Sequence, residues 1–150
     1  MKRRVLTQRE VDVEPFRVWN AYVNLLAMES YLDLAPVQRP AHLVFWYEHE
    51  VQNGGHMQFF ENRSAQHLPE TVEALGLLGA SCQQQVLTDA IGMYDSGARA
   101  KCATIEQFCA AALEGEFSVV DTRFHSCSQS LQECLEAYLR KHQESFVVIK

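Results

Sequence analysis

The feature that most constrains this chain is a pair of adjacent glycines, Gly54 and Gly55, between two segments with helical periodicity. Glycine readily adopts the left-handed backbone conformation that ends a helix, so the pair predicts a sharp break with positive φ at one of the two positions. Phe59 and Phe60 follow shortly afterwards, and burial of each should contribute about 1.5–3 kcal/mol. We therefore predict two helices that meet at the glycines, the second one anchored in the core by both phenylalanines.

Apolar residues recur at three- and four-residue steps along most of the 150 residues, which is typical of helices with one buried face. After Pro15, one such face is formed by Phe16, Trp19, Val23, Leu26 and Ala27. Pro15 suits the first turn of a helix, Ser81 can cap a later one, and Thr104 begins a capping box. The expected helices follow Pro15, run from about Ala41 to Asn53, hold Phe59 and Phe60, follow Pro69, Ser81 and Thr104, and run from about Ser128 to Lys141.

Strand signals are few. The runs Phe117–Val120 and Phe146–Ile149 are rich in β-branched residues, and each is interpreted as a loop or a docked terminus. No linker is long enough to separate two domains. The sequence therefore predicts an all-α fold, a single compact multi-helix domain of about six to seven helices over residues 1–150, with 1–14 as an N-terminal extension and 142–150 as a C-terminal tail.

The formal net charge of −6 is unevenly distributed along the chain. Residues 64–122 contain two basic and eight acidic side chains and so carry the whole excess. An acidic surface disfavours nucleic acid and anionic membranes as direct partners and favours basic proteins. The alternative is a solvated face that only keeps the protein in solution. If they share one face, five carboxylates would form a partner-binding surface: Glu70, Glu73, Asp89, Asp95 and Glu106.

The five cysteines are odd in number and form no Cys-x-x-Cys pair, so the usual spacing of a zinc site is absent. Cys102 and Cys109 are seven residues apart, as are Cys127 and Cys134, so each pair could share one helix face. We expect all five, Cys82 included, to be buried free thiols in a reducing compartment. The basic start of the chain is not followed by an apolar run, which argues against a signal peptide and predicts a cytoplasmic location.

Motifs for catalysis or cofactor binding are weak. The chain has no phosphate-binding glycine loop and no nucleophile elbow. His49, Glu50 and His56 are close in sequence, but the two histidines are seven residues apart across the predicted break and do not fit the His-Glu-x-x-His pattern. We therefore predict no catalytic residue, no metal site and no cofactor. A metal-dependent or small-molecule enzyme using these three residues stays an alternative hypothesis.

The segment from Glu50 to Asn62 contains the pattern Asn-Gly-Gly-x-x-Gln-Phe-Phe. It resembles the signature of a small bacterial all-α family, a domain of unknown function typified by a DNA-mimic protein. Weaker similarity extends over roughly residues 15–140. Where that family usually has an aromatic residue after the two glycines, this chain has His56. The residues that carry the signature are Glu50, Asn53, Gly54, Gly55, Gln58, Phe59, Phe60 and Asn62.

The resemblance implies a helical fold and a homodimer, and it implies that carboxylates can stand in for DNA phosphates toward a DNA-binding protein. We interpret the signature residues as structural, with Gln58 and Asn62 hydrogen-bonded to neighbouring helix ends. The favoured hypothesis is a non-enzymatic protein that binds a protein partner, in particular a basic DNA-binding regulator. An immunity- or antitoxin-like binding protein is the second hypothesis.

Overall fold

The structure, a computed structural model, describes residues 1–96, 104–107 and 115–150. The prediction of a single all-α domain with about six to seven helices is confirmed, since seven α-helices lie complete within the described residues. They are α1 (Gln8–Val13), α2 (Arg17–Met28), α3 (Arg39–Asn62), α4 (Leu68–Leu77), α5 (Ser81–Asp95), α6 (Ser118–Ser126) and α7 (Leu131–His142). Two short strands, β1 (Arg4–Leu6) and β2 (Val147–Ile149), and the 3-10 turns Tyr31–Asp33 and Gln143–Ser145 complete the described elements.

Side-chain caps fix the starts of α1 and α7. Thr7 and Ser130 each accept a hydrogen bond from the backbone of the glutamate three residues on, and that glutamate binds back to the cap residue. These reciprocal bonds satisfy donors that a helix start would otherwise leave open. The predicted cap at Ser81 is wrong, because Ala80 precedes α5 and Ser81 is its first residue.

Helix α3 is the centre of the fold. It packs against α2, α4, α6 and α7, while α5 lies against α4 and α6. The helix is broken at Gly54 and Gly55, as predicted, and the part beyond the break turns Phe59 and Phe60 into the core, where they are 3% and 1% exposed. The largest fully buried apolar side chains around them are Tyr22, Leu25, Leu26, Tyr47, Leu75, Leu87, Leu131, Leu135 and Phe146.

Two sequence-based expectations about local structure are wrong. The run Phe117–Val120 is neither a loop nor a docked terminus, because it leads into α6 and buries Val120 on that helix. Phe16, expected on the buried face of α2, is 59% exposed, because the buried face is formed by Tyr22, Leu25 and Leu26 instead. The helix predicted after Thr104 lies largely outside the described residues, although Thr104 does accept a hydrogen bond from the backbone of Gln107.

The two ends of the chain, expected as an extension and a tail, pair with each other. Strands β1 and β2 run parallel, with Arg4 opposite Val147 and Leu6 opposite Ile149. The fully buried Gln38 joins the same region, since its side-chain amide donates to the carbonyl of Lys2 at 2.6 Å and to that of Ser145 at 2.7 Å. Residues before α1 and after α7 are thus bonded to each other and to the start of α3.

The prediction of free thiols is wrong for two cysteines. Cys82 at the start of α5 and Cys127 after α6 form a disulfide, which removes one ground for placing the chain in a reducing compartment. Cys134 is a free, buried thiol as expected, but it lies on α7 and shares no helix with Cys127. Cys102 and Cys109 lie outside the described residues. Among the described helices, none combines the length and apolar character needed to cross a membrane.

Candidate functional site

The break in α3 depends on an unusual backbone conformation at Gly55. Its φ of 72° and ψ of −175° fall in a region that only glycine occupies readily. Space is equally restrictive, because a Cβ built on Gly55 would lie 2.5 Å from Oδ2 of Asp121 on α6. Glycine is therefore required here both by the backbone angles and by the close approach of a carboxylate.

His56, directly after the break, joins α3 to α6. Its backbone N–H donates to Oδ1 of Asp121 at 2.9 Å, and its Nδ1 lies 2.6 Å from the same oxygen. Because an ionised carboxylate only accepts hydrogen bonds, Nδ1 carries the proton in this contact. On the other side of the ring, Nε2 lies 2.8 Å from the hydroxyl of Tyr47. The result is a chain of three polar side chains, Asp121–His56–Tyr47, through the middle of the protein.

The Asp121–His56–Tyr47 series has the order of a catalytic relay, but its Tyr47 end is not accessible from solvent. Tyr47 and His56 are both fully buried, so a substrate outside the protein does not contact the Tyr47 hydroxyl. Burial, reinforced by the charge of Asp121, raises the pKa of Tyr47 well above its ordinary value, which keeps the phenol protonated at neutral pH. The three residues hold the break against α6 and pair one another's polar groups.

A second network surrounds Glu50, which is 5% exposed. Its carboxylate accepts hydrogen bonds from Nε2 of Gln58 at 2.8 Å, from Nδ2 of Asn62 at 2.9 Å and from Nη2 of Arg63 at 3.2 Å. Burial raises the pKa of this carboxyl, but the hydrogen bonds and the charge of Arg63 outweigh it and leave the pKa below its ordinary value. Glu50 therefore stays ionised and clamps the two parts of the broken helix together.

Several residues of the signature take part in these two networks. The prediction that Gln58 and Asn62 bind neighbouring helix ends is wrong, because both donate to Glu50 instead. Asn53 is exposed beside the break. In this structure Glu50, Gln58 and Asn62 of the pattern join the two parts of the kinked α3.

The residues of the metal-enzyme hypothesis have separate surroundings. His56 is occupied by Asp121 and Tyr47, Glu50 by the amides and Arg63, and His49 lies against the rings of Phe45 and Trp46. Within the described parts of the chain, no three His, Cys, Asp or Glu side chains come together as metal ligands would. The structure does not unite these three residues in one site.

The acidic residues predicted to bind a partner lie in more than one place. Glu70 and Glu73 on α4 line a groove together with Arg39 from the start of α3. Asp89 on α5 faces the other way, toward α6, where its Oδ2 lies 2.6 Å from Nη1 of Arg123. The helix surface between them is occupied by the packing of α4 against α5, in which Gln84 donates to the carbonyl of Val72. Asp95 at the end of α5 and Glu106 are both exposed.

Three residues of the networks were not singled out from the sequence as site residues, namely Tyr47, Arg63 and Asp121. Arg63 directly follows the signature, so its position could have suggested a partner for Glu50. The pairing of Asp121 with His56 had no such signal, because the two residues are 65 apart in sequence and meet only in the folded chain.

The region that contains the break is similar to a known protein family. No curated protein and no solved structure matches this chain. The family described as DMP19-like protein matches residues 32–142, which contain the kinked α3 with both of its networks as well as α4, α5 and α6. The resemblance to a DNA-mimic domain family is thereby confirmed. The match covers well over half of the chain, and the chain therefore belongs to the DMP19-like protein family.

Proposed function

We propose that this protein binds a basic, DNA-binding protein through carboxylates on α4 and α5 and so occupies the partner's site for DNA. The family supports this proposal, since its name refers to a DNA-mimic protein. The protein's own charges support it further, and they carry the argument below.

The single observation that carries the proposal is the charge of α4 and α5. Residues 64–96, which include both helices, contain four carboxylates and neither Lys nor Arg, although Arg39 from α3 lines the same groove as Glu70 and Glu73. Glu70, Glu73 and Asp95 are exposed, so a partner can reach them. Glu70 and Glu73 are three residues apart on one helix, and this places their Cβ atoms at about 5–6 Å, close to the distance between successive phosphates. Such a surface attracts cationic groups that bind a DNA strand.

The amount of charge limits the size of the site. Duplex DNA has one charge per roughly 1.7 Å of helix axis, or about 20 per turn. This chain has a net charge of −6, and Asp89 is already paired with Arg123. A surface of this strength can replace a few phosphates but not a whole turn. We therefore propose that the contact centres on Glu70 and Glu73, which line one groove.

The test begins with the intact protein as bait for proteins from a lysate of its source cells. Bound proteins are eluted in parallel with rising salt and with duplex DNA, and then identified. The proposal expects DNA-binding proteins that both treatments release, because exposed charges are screened over about 8 Å at physiological ionic strength. A partner that duplex DNA does not displace would contradict mimicry and favour the immunity- or antitoxin-like alternative.

Substitutions then locate the contact on the identified partner. Glu70→Gln with Glu73→Gln removes two charges and keeps helix propensity, so affinity for the partner should fall by about tenfold or more at low salt. The matched control is Glu136→Gln with Glu144→Gln, which removes the same charge from α7 and the turn after it. Equal losses of affinity in both double variants would show that net charge matters and that the α4 surface does not.

A further inference from the structure

A cavity of about 430 Å³ lies between the end of α2, the middle of α3 and the start of α4. Its volume is within the range of small-molecule sites, about 300–1,000 Å³. Three aromatic side chains, those of Tyr31, Trp46 and Phe59, form an aromatic wall on it, and His42, Arg63 and His67 also line the cavity. The function proposed above involves exposed carboxylates and makes no use of this cavity.

The aromatic wall is held in a defined arrangement. The rings of Tyr31 and His67 are in contact, with 4.1 Å between their centroids and their planes tilted by 31°. His67 has a left-handed backbone conformation, as do Ser64 and Ala65 just before it. Non-glycine residues in this conformation are strained, and such strain is frequent where a loop must present side chains to a ligand. The loop between α3 and α4 therefore presents the His67 ring to Tyr31 on one side of the cavity.

Arg63 supplies the charged group of the wall. Its guanidinium lies 3.6 Å from the centroid of the Trp46 ring and is held from behind by Glu50 through Nη2. Its Nε is buried and has no hydrogen-bond partner among the described residues. Because that nitrogen has no accessible surface, a ligand in the cavity would meet the outer part of the side chain, which is 32% exposed and lines the cavity. Arg63 thus has unused donor capacity at a planar aromatic surface.

The charge that a ligand should carry depends also on the other polar side chains that line the cavity. Glu29 also lines the cavity, but it is bound by Lys2 at 2.6 Å and by Arg4 at 2.9 Å. His42 donates from Nδ1 to the carbonyl of Leu26, and burial lowers its pKa to about 4, so this ring is uncharged. The wall therefore offers a ligand the guanidinium donors of Arg63 that Glu50 does not use, which suits a carboxylate better than a phosphate.

We propose that this cavity binds a small planar aromatic carboxylate, with its ring against the aromatic wall and its carboxylate on the guanidinium of Arg63. Three matched probes test the charge requirement, namely cinnamate, cinnamamide and cinnamylamine. Trp19→Phe leaves Trp46 as the single tryptophan, so its fluorescence reports binding in the cavity, and calorimetry on the unmodified chain gives the affinity independently.

Cinnamate should bind saturably and about tenfold or more tightly than cinnamamide, because hydrogen bonds to charged groups are stronger than neutral ones. Cinnamylamine should bind weakest, since Arg63 repels it. Equal affinities for the acid and the amide, tighter binding of the amine, or no saturable binding of cinnamate would each overturn the proposal.

Two variants locate the site. Arg63→Gln should remove the preference for cinnamate over cinnamamide, and circular dichroism shows whether the helices persist. Ala27→Leu fills the cavity from α2 without touching the Arg63–Glu50 contact, so it should abolish binding of both probes even if Arg63→Gln does not fold. The control is Arg123→Gln, which removes another arginine paired with a carboxylate, away from the cavity. Unchanged cinnamate binding in Ala27→Leu would overturn the proposal.

Discussion

Asp121 holds His56 through a single carboxylate oxygen, which accepts both the backbone N–H of His56 at 2.9 Å and its ring Nδ1–H at 2.6 Å. The two residues come from α6 and from the break in α3, and the other ring nitrogen contacts Tyr47. Removing the carboxylate would therefore leave two donors of a fully buried residue without an acceptor.

Asp121→Ala should lower the free energy of unfolding by about 2–3 kcal/mol, because unsatisfied buried donors keep their desolvation cost. Chemical denaturation at neutral pH measures the change. Asp95→Asn removes an exposed aspartate charge and should alter stability by less than about 0.5 kcal/mol. Similar small effects in both variants would mean that Asp121 does not support His56.

Gly55→Ala should be severely destabilising, by about 3 kcal/mol or more, since alanine is strained at this φ and ψ and its Cβ would meet Asp121. Gly92 offers a matched control within α5, because a Cβ there has nothing within 4 Å. Gly92→Ala should stabilise the protein by about 0.5–1 kcal/mol through helix propensity. Thermal unfolding measures both changes. Unfolding midpoints that shift in the same direction in both variants would contradict this account of the break.

Glu50→Gln should cost about 2–3 kcal/mol at pH 7, because its new amide would face donors from Gln58, Asn62 and Arg63. The pKa of Glu50 is lowered on folding, so the carboxylate contributes stability above its unfolded pKa of about 4.5 and loses that contribution as pH falls through the folded value. The difference in stability between the natural chain and Glu50→Gln should hence shrink as pH drops below about 4.5.

Urea titrations at a series of pH values from neutral to acid measure that difference. Exposed Glu73→Gln is the control and should change stability by less than about 0.5 kcal/mol at pH 7. A gap between the natural chain and Glu50→Gln that widened on acidification would refute the assigned direction of the pKa change.

Reduction of the Cys82–Cys127 disulfide should lower the free energy of unfolding by about 4 kcal/mol, given a sequence separation of 45 residues. Denaturation with and without a thiol reductant measures the effect. Cys82→Ala with Cys127→Ala should be insensitive to the reductant, whereas Cys134→Ala should remain sensitive. If the natural chain unfolds identically in both conditions, these cysteines are thiols in solution, as the sequence alone suggested.

Local signals in the sequence predicted local structure well. The glycine pair predicted the break in α3, and the phenylalanines after it are buried as expected because a helix presents residues at fixed angular intervals. Helix α1 was also predictable, since Thr7 and Glu10 have the spacing of a capping box.

Contacts between distant segments were not predictable from one sequence. The bond from Asp121 to His56, the disulfide and the pairing of β1 with β2 each join residues far apart in the chain, and three-residue strands carry almost no pattern of their own. The role of Glu50 was missed for a different reason. Its carboxylate belongs to an apparent helix surface, and only the turn at Gly55 brings Gln58 and Asn62 back onto it.

Gln38 has a consequence for the order in which this chain can fold during synthesis. Its amide needs the carbonyl of Ser145, more than a hundred residues later, as well as that of Lys2. Helices α2 to α4 can assemble while the ribosome is still adding α6 and α7, yet the start of α3 then lacks an acceptor, and β1 lacks its neighbouring strand. Residues made after α7 thus complete this part of the fold, and β1 remains an open strand edge until they arrive.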